Sequence, residues 1–597
     1  MAAEATKHWQ QVVKERAYAL SQVPMGKPRK LKVIVAGAGI SGLCFAHEVQ
    51  SGSIQAVDLT IYEKNSSVGG TWFENRYPGC ACDIPIHNYQ FSWAPYPYFS
   101  SYYAGSGEIR NYLERVADQF ELRQHIKTSH KIVGAMWQPD RQRWHVTVRR
   151  TDGRDLVVSS RTEADTEAGE TFVEECDIFV NACGYVNDWR WPSIPGRLEF
   201  EGKMYHSAAW DPKADLIDQT VALIGNGSSG IQILPSIIDK AKKVYVFIRS
   251  PTWITAGFAS KFAGPGGSNV IFSEEQKKHW ADNPEAYLAY RKEVEMELNS
   301  RFRLYIKDTE DQKNAQKFST KAMVDKLSQK PELAKLLLPD FAVGCVLQHW
   351  LASLENVIWG EIDRFTPTGL RSASSGEEVT VDTIICATGF DISFSPRYPI
   401  IGRNGVNLQD KWDKSPESYL SVLAEDMPNY FVYLGPASPI GHGSLVGSVE
   451  IITSYIGDLI KKLQQENYSS FCLKPGLAAA WKNHCLAWLE KTAWNSPCVS
   501  TYKNGTKDGS LVSLHGGSRL HYFSLLRRKR YEDIDWTSLC SDLPFAWLNN
   551  GFTVEETDDR EKSDLTWYLN PVGKHAILQP PKATSGENGA SGDNGHV

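Results

Sequence analysis

The sequence predicts an α/β protein, because three short apolar runs each lead into a turn that contains glycine. Two of the turns continue into a helix pattern: LKVIVAGAGISGLCFAHEVQ (31–50) and QTVALIGNGSSGIQILPSI (219–237). The third, VDTIICATGFD (381–391), repeats the strand and the turn. Apolar runs of this length, bounded by glycine, are typical of the buried strands of a parallel sheet.

Length and composition indicate a multidomain globular protein. A chain of 597 residues is too long for one core, so two or more domains are expected. Hydrophobic residues make up 42% and charged residues 22%, which is ordinary for a globular protein. A net charge of -6 gives no reason to expect nucleic acid as a partner. The many aromatic residues could line a large apolar pocket.

The cysteines and the two ends of the chain favour a cytoplasmic protein without a membrane span. Eleven cysteines occur without a repeated spacing, so they are expected to be reduced thiols. Cys80 and Cys82 lack a second Cys/His pair at zinc spacing, so no metal is expected. No signal peptide is visible, and no apolar run reaches the roughly 18 residues that a span needs. The polar, glycine-rich C-terminus is predicted to be a disordered tail.

The first glycine turn has the spacing of a dinucleotide-binding site. Gly37 permits the tight turn, Gly39 lets the backbone approach a pyrophosphate, and Gly42 lets the helix pack closely on the strand. The helix N-terminus then faces the anion. Glu63 ends the next strand pattern, about 20 residues after Gly42, where a carboxylate can bind ribose hydroxyls.

The second turn repeats this arrangement with a cation in place of the acid. The predicted ligands here are Gly225, Gly227, Ser228, Gly230, Arg249 and Ser250. A cation after the second strand suits a ribose 2′-phosphate, so this site is expected to bind NADPH rather than NADH. The alternative is that Arg249 merely caps its strand.

Two dinucleotide sites indicate two cofactors, FAD at the first and NADPH at the second. The strand 383–386, with its Ala-Thr-Gly turn, is interpreted as the return of the chain to the first domain, which makes the NADPH domain an insertion. The fold class is therefore α/β with two Rossmann-like domains and a helical insertion. The predicted division is an N-terminal helical extension (1–30), the first part of the FAD domain (31–199), a linker (200–215), the NADPH domain (216–380) with helices at about 273–337, a return to the FAD domain (381–575) and the tail (576–597).

Two further segments carry a family resemblance. FEGKMYHSAAWD (200–211) matches the pattern FxGxxxHxxxW followed by Pro or Asp, and GGTWFENRYPGCACD (69–83) matches GGTWxxNRYPGxxxD. With these segments the chain resembles the type I Baeyer–Villiger monooxygenases, a branch of the class B flavoprotein monooxygenases, and in particular their fungal members in secondary metabolism. Related heteroatom-oxidising enzymes usually end the first pattern with Tyr or Phe, so the Trp-Asp ending favours ketone oxidation.

The resemblance implies roles for residues in both segments. His206 and Trp210 are expected to couple the two domains during the reaction. Asp83 is expected to orient a catalytic arginine. Contacts with the flavin are implied for the other segment, through Gly70, Thr71, Trp72, Tyr77 and Asp83.

One expected residue is missing. In the family an arginine follows a Gly-Cys pair, but here Val346 and Leu347 stand after Gly344 and Cys345. The stretch up to Asn356 is also about six residues shorter than the resemblance implies. Because removing one oxyanion donor typically costs roughly 10²–10³ in rate, oxygen transfer is expected to be weakened. A faulty gene model, a rewired site with another arginine and weakened coupling remain open as explanations.

The resemblance implies an enzyme in which NADPH reduces FAD and one atom of O2 is inserted beside a ketone carbonyl, giving an ester or lactone. The expected substrate is a polyketide or terpenoid ketone, with no obligate protein partner. The alternatives are a heteroatom-oxidising flavin monooxygenase, and an uncoupled NADPH oxidase or inactive flavoprotein that lacks the arginine.

Overall fold

A computed structural model describes residues 20–151, 169–254, 257, 259–344, 356–558 and 560–569. The predicted tail, most of the N-terminal extension and the segment with the missing arginine lie outside these residues. The described chain forms two units. One contains residues 28–544, and the other contains residues up to 27 together with those from 545 onwards.

The strands are numbered in chain order. They are β1 Leu31–Ala36, β2 Val57–Tyr62, β3 Ile126–Lys127, β4 His130–Gln138, β5 Arg143–Arg150, β6 Thr171–Cys176, β7 Ile178–Asn181, β8 Lys203–His206, β9 Thr220–Ile224, β10 Lys243–Ile248, β11 Asn356–Trp359, β12 Ile362–Thr366, β13 Gly369–Ser372, β14 Glu378–Thr380, β15 Thr383–Cys386, β16 Ile400–Ile401, β17 Tyr430–Val432, β18 Tyr468–Leu473 and β19 Ile534–Ser538.

The α-helices are numbered in the same way. They are α1 Ile40–Gln50, α2 Thr71–Glu74, α3 Ser106–Gln119, α4 Ser228–Ile237, α5 Glu274–Asp282, α6 Pro284–Ser300, α7 Glu310–Lys326, α8 Pro331–Leu337, α9 Leu408–Lys414, α10 Leu445–Gln465, α11 Leu477–Leu489, α12 Arg519–Leu526 and α13 Val554–Thr557.

The first sheet is parallel and has the strand order β17-β7-β1-β2-β3. Its central strand β1 is apolar and almost wholly buried, as a strand covered on both faces must be. Helix α1 follows β1, and helix α10 packs beside α1. The turn between β1 and α1 therefore opens at the carboxyl edge of the sheet, where ligands of α/β proteins bind.

The second sheet is also parallel, with the order β11-β10-β9-β15-β8. The α/β class with two parallel sheets is therefore confirmed. The predicted return of strand 383–386 to the first domain is wrong, because β15 lies between β9 and β8 and pairs with both. Apolar periodicity identifies a buried strand but does not identify its neighbours. The linker predicted at 200–215 likewise supplies the edge strand β8.

The helices predicted between 273 and 337 are present as α5 to α8. Residues 519–526 form helix α12, and its first turn is capped. Ser518 precedes the helix and accepts a hydrogen bond from the backbone N–H of His521 at 3.1 Å, which satisfies a free donor of the first turn.

The unit that contains residues up to 27 and from 545 onwards is small. A parallel β-bridge joins Met25 and Thr553 within it, and a reciprocal capping box between Thr553 and Glu556 begins helix α13. In the whole of the described chain, no helix combines the length and the apolar character that crossing a bilayer requires.

Candidate active site

The first glycine turn forms a tight cradle at the end of β1. Gly37 has φ +101°, and a Cβ on it would lie 2.9 Å from the carbonyl oxygen of Ala182. A Cβ on Gly42 would lie 2.1 Å from the carbonyl oxygen of Gly37, so helix α1 could not pack as it does. Gly39 faces Gly70 at contact distance. Because these glycines carry no side chains, the backbone can turn tightly and approach a pyrophosphate beside the helix N-terminus.

Glu63 lies where the sequence predicts it, buried beside this turn. Its two carboxylate oxygens accept hydrogen bonds from the backbone N–H groups of Ala38 at 2.8 Å and Asn65 at 2.9 Å. Burial raises the pKa of Glu63, and the two N–H donors oppose that change. Each oxygen can accept a further hydrogen bond, so the side chain can still bind a ribose hydroxyl.

A cavity of about 590 Å³ opens from this turn and is lined by the predicted residues Gly37, Gly39, Glu63, Gly70, Thr71, Trp72 and Trp210. Gly70 has φ +53° and begins helix α2, which carries Thr71 and Trp72. The indole N–H of Trp72 donates to the hydroxyl of Tyr89 at 3.3 Å, which orients its ring. The cradle, the acid and the long cavity fit FAD, and these residues would hold it.

The second glycine turn has the same geometry. Gly225 has φ +109°, and a Cβ on it would lie 2.5 Å from the carbonyl oxygen of Ala387. A Cβ on Gly230 would lie 2.1 Å from the carbonyl oxygen of Gly225. A Cβ on Gly227, in contrast, would meet nothing within 4 Å. The middle glycine is therefore not required by the fold, and its open surface suits the close approach of a ligand.

The other residues predicted for this second site are Ser228, Arg249 and Ser250. Ser228 begins helix α4, and Arg249 follows β10 with an exposed side chain. Arg249 makes no ion pair with any residue that the structure describes, so its charge is available for a phosphate. The carbonyl oxygen of Ser250 accepts from the side-chain amide of Asn226 at 3.1 Å, which holds the end of β10 against the glycine turn.

Tyr77 is not among the residues that line the cavity. Its hydroxyl donates to Gln232 of helix α4 at 2.9 Å, and the amide of Gln232 donates to the carbonyl oxygen of Ala81 at 3.0 Å. A Cβ on Gly79 would lie 2.3 Å from the carbonyl oxygen of Gln232. The segment 77–81 is therefore packed on helix α4 of the second sheet, and Tyr77 joins this segment to that helix.

Asp83 follows this segment, and its side chain is exposed to solvent. Desolvation by the surrounding protein nevertheless raises the pKa of its carboxyl, and no cation among the described residues offsets that effect. Residues 345–355 lie outside the described chain, but their sequence contains neither Arg nor Lys. Neither the described residues nor the sequence of residues 345–355 therefore supplies the expected arginine partner of Asp83.

His206 lies at the end of β8 and is almost fully buried. The backbone N–H of Ala208 donates to its Nδ1 at 3.1 Å, so the ring proton is on Nε2, which donates to Oγ1 of Thr388 at 3.2 Å. Burial lowers the pKa of His206 to about 3. The ring stacks on Trp189 with 4.3 Å between centroids. His206 is therefore a neutral, fixed hydrogen-bonding group.

The sequence reading missed several residues of the site. Thr388 was noted only as part of a turn, and Trp189 and Arg397 were not singled out. Trp189 and Arg397 both line the cavity beside the cradle. Arg397 is part of no pattern that distinguishes it from a surface cation. Trp189 belongs to a Trp-rich stretch after β7 that could have been recognised as a candidate.

A second cavity, of about 560 Å³, lies beside the loop that precedes α10. Its lining includes Leu298, Tyr305, Phe318 and His442. Nε2 of His442 donates to the carbonyl oxygen of Leu298 at 2.8 Å, and Nδ1 has no partner among the described residues. Burial lowers the pKa of His442 to about 4, so the ring is neutral.

Comparison with known proteins agrees with this geometry. Residues 35–105 match the model of an NAD(P)-binding Rossmann-like domain. The FAD-binding monooxygenase tazF of Aspergillus terreus is 33% identical over 562 residues, covering 92% of this chain and 96% of the relative. A Baeyer-Villiger monooxygenase of Streptomyces coelicolor is 29% identical, covering 81% of this chain and 88% of the relative. In fold, the cyclohexanone monooxygenase of Rhodococcus sp. Phi1 bound to NADP+ is similar, with a TM-score of 0.71 and 24% identity over 86% of this chain and 100% of that one.

Proposed function

The chain belongs to the family of FAD-binding monooxygenases, and from this premise we propose that it oxidises a polyketide or terpenoid ketone to an ester or lactone. It is a flavin-dependent oxidoreductase of the Baeyer–Villiger type that uses FAD and NADPH. Two cofactor cradles, each at the carboxyl edge of its own parallel sheet, carry the proposal. When bound, FAD supplies the redox chemistry that passes electrons from NADPH to dioxygen.

Each cradle has a proposed task. The N–H groups after Gly37 and the carboxylate of Glu63 bind the pyrophosphate and a ribose of FAD, while Trp72 and Trp210 exclude water from the cavity. The second cradle binds the pyrophosphate of NADPH at the N-terminus of α4. Arg249 selects NADPH over NADH because only NADPH carries a 2′-phosphate.

The Trp-Asp ending of the segment 200–211 supports ketone oxidation over heteroatom oxidation, through the resemblance described above. The second cavity supports a bulky substrate with both apolar and polar groups, because its walls combine side chains such as Leu298 and Phe318 with polar ones such as Arg301. The buried thiols of the described chain support a reducing site of action, such as the cytoplasm.

One observation favours a second candidate function, that of an NADPH oxidase. Negative charge builds on oxygen during the insertion, and a cation should stabilise it. Asp83 has no such cation beside it in the described chain, and its own charge would repel an anion. An enzyme with this site could reduce dioxygen to hydrogen peroxide without transferring oxygen to a ketone.

A panel of aromatic polyketide and terpenoid ketones distinguishes the two functions. The purified protein is incubated with FAD, NADPH and each ketone, and products are analysed by mass spectrometry for the gain of one oxygen atom. Ester or lactone with any ketone supports the proposal. NADPH consumption that yields only hydrogen peroxide throughout the panel supports the oxidase instead.

A further inference from the structure

The chain crosses between the two parallel sheets twice within the described part of residues 28–544. It leaves the first sheet after β7 through residues 182–202, and it leaves the second sheet after β15 through residues 387–399, towards β16 and then β17 of the first sheet. We call these the outgoing and the returning crossover. They run side by side: Trp189 and Phe390 form an antiparallel bridge, and the N–H of Asp391 donates to the carbonyl oxygen of Asp188 at 2.9 Å. Movement of one sheet against the other must therefore act on this pair of segments.

Arg397 lies in the returning crossover and binds residues of both crossovers. Its Nη1 lies 3.3 Å from a carboxylate oxygen of Asp188 and 3.1 Å from one of Asp391. Its Nη2 donates to the carbonyl oxygen of Asp391 at 2.7 Å, and its Nε donates to Asn187 at 3.4 Å. The planar guanidinium can hold partners in several fixed directions, whereas an ammonium group cannot.

This ion cluster is more than a surface feature. The side chain of Arg397 is 22% exposed, and those of Asp188 and Asp391 are 18% and 9% exposed. Charges at this depth are screened less by water than exposed pairs are. Breaking the cluster would leave two carboxylates close together without their shared cation, and they would repel each other.

The cluster also touches both functional regions. Asn187, Asp188, Trp189 and Arg397 line the cavity that fits FAD. Trp189, next to Asp188, stacks on His206, which in turn donates to Thr388 of the returning crossover. A continuous series of contacts thus runs from Arg397 to His206 at the end of β8.

We propose that Arg397 is a positioning residue that locks the two crossovers together and so sets the orientation of the NADPH domain when oxygen is transferred. The proposal rests on the proposed function, because it assigns Arg397 to the coupling of the two cofactor sites. When Arg397 holds the two crossovers together, His206 stays stacked on Trp189 and water is kept out of the cavity. Without the Arg397 contacts, the NADP+ product would leave early and more hydrogen peroxide would be released.

The test compares Arg397→Met and Arg397→Lys with the control Arg123→Met. Arg123 forms an exposed ion pair with Asp118 at the end of helix α3. It lies beside the edge strand β3, three strands away from β7 and the outgoing crossover. Hydrogen–deuterium exchange is measured first, on protein without cofactors. We expect amide exchange in 182–202 and 387–399 to rise about tenfold in Arg397→Met, to rise less in Arg397→Lys, and to stay unchanged in the control.

The second measurement uses protein loaded with FAD. We expect Arg397→Met, compared with the wild type at equal FAD occupancy, to release NADP+ about tenfold faster and to form proportionally less ester per NADPH. Unchanged exchange and unchanged NADP+ release in Arg397→Met would overturn the proposal. Faster exchange throughout the first sheet, with loss of FAD that Lys does not restore, would also overturn it in favour of a purely structural role. If the wild type makes no ester, the proposed function fails, while exchange and NADP+ release still decide the role of Arg397.

Discussion

Nε2 of His206 donates a hydrogen bond to Oγ1 of Thr388 at 3.2 Å, and so joins the end of β8 to the turn that follows β15. His206 belongs to the segment that carries the family resemblance, and Thr388 belongs to the crossover that returns to the first sheet. The two residues are 182 positions apart in the chain. Because β8 and β15 are neighbouring strands of the second sheet, this bond fixes the start of the returning crossover against the end of β8.

His206→Ala should keep FAD bound, because the cradle at Gly37 is untouched. We expect product per NADPH to fall roughly ten- to hundredfold, since the positions of the two cofactors are no longer coupled. Because the pKa of His206 is lowered to about 3, the ring is neutral above pH 5, and the ratio of variant to wild type should be constant from about pH 6 to 9. Coupled turnover equal to that of the wild type would contradict this role.

Arg249→Ala should weaken the binding of NADPH much more than the binding of NADH. The loss of a charge-assisted contact to the 2′-phosphate should raise the KM for NADPH roughly tenfold to a hundredfold, with NADH changed less than about twofold. Lys242→Ala is the matched control, because Lys242 is also exposed and lies at the opposite end of β10. Equal effects on the two nucleotides would remove Arg249 from this role.

Gly227→Ala and Gly230→Ala should have different effects on NADPH binding and on stability, although both alter the same turn. A Cβ at Gly227 has open space, so this variant should fold normally and keep FAD while its KM for NADPH rises about tenfold or more. A Cβ at Gly230 would meet the carbonyl oxygen of Gly225 at 2.1 Å, so that variant should lose thermal stability. Thermal unfolding and steady-state kinetics check both. A Gly227→Ala protein with ordinary NADPH kinetics would argue against a dinucleotide at this turn.

The protein should reduce its flavin at an ordinary rate but couple poorly, because both cradles are intact and Asp83 has no cation beside it in the described part of the chain. Stopped-flow reduction by NADPH and the yield of ester per NADPH separate these two steps. A six-residue segment with an arginine inserted after Cys345 should raise the yield. Tight coupling without the insertion would show that a cation from elsewhere stabilises the reacting oxygen.

Asp83→Asn gives an independent check of this unpaired carboxylate. Its pKa is raised in the folded protein, so the charged form is disfavoured there, and the carboxyl destabilises the fold at a pH above its folded pKa. The amide should therefore raise the melting temperature near pH 7. That gain should disappear as the pH falls below about 4, where the carboxyl is protonated in the folded and unfolded states alike. A gain that does not depend on pH would have another cause.

Much of the fold could be predicted because short-range patterns determine it. The turns at Gly37 and Gly225 need glycine for reasons local to the strand and helix, and those reasons can be read from spacing. The neighbours of β15 could not be predicted, since four apolar residues carry no information about which sheet they join. Arg397 could not be predicted either, because its partners Asp188 and Asp391 are brought together only by the pairing of the two crossovers.

We propose that this protein inserts one atom of dioxygen beside a ketone carbonyl with electrons from NADPH. Isotopically labelled dioxygen, supplied to the FAD-loaded protein with NADPH and a ketone that it accepts, tests this directly when the label is located by mass spectrometry. We expect one labelled atom in the ring or chain oxygen of the ester, with the carbonyl oxygen unlabelled. Label found only in hydrogen peroxide or water, or on a nitrogen or sulfur atom of the substrate, would contradict it.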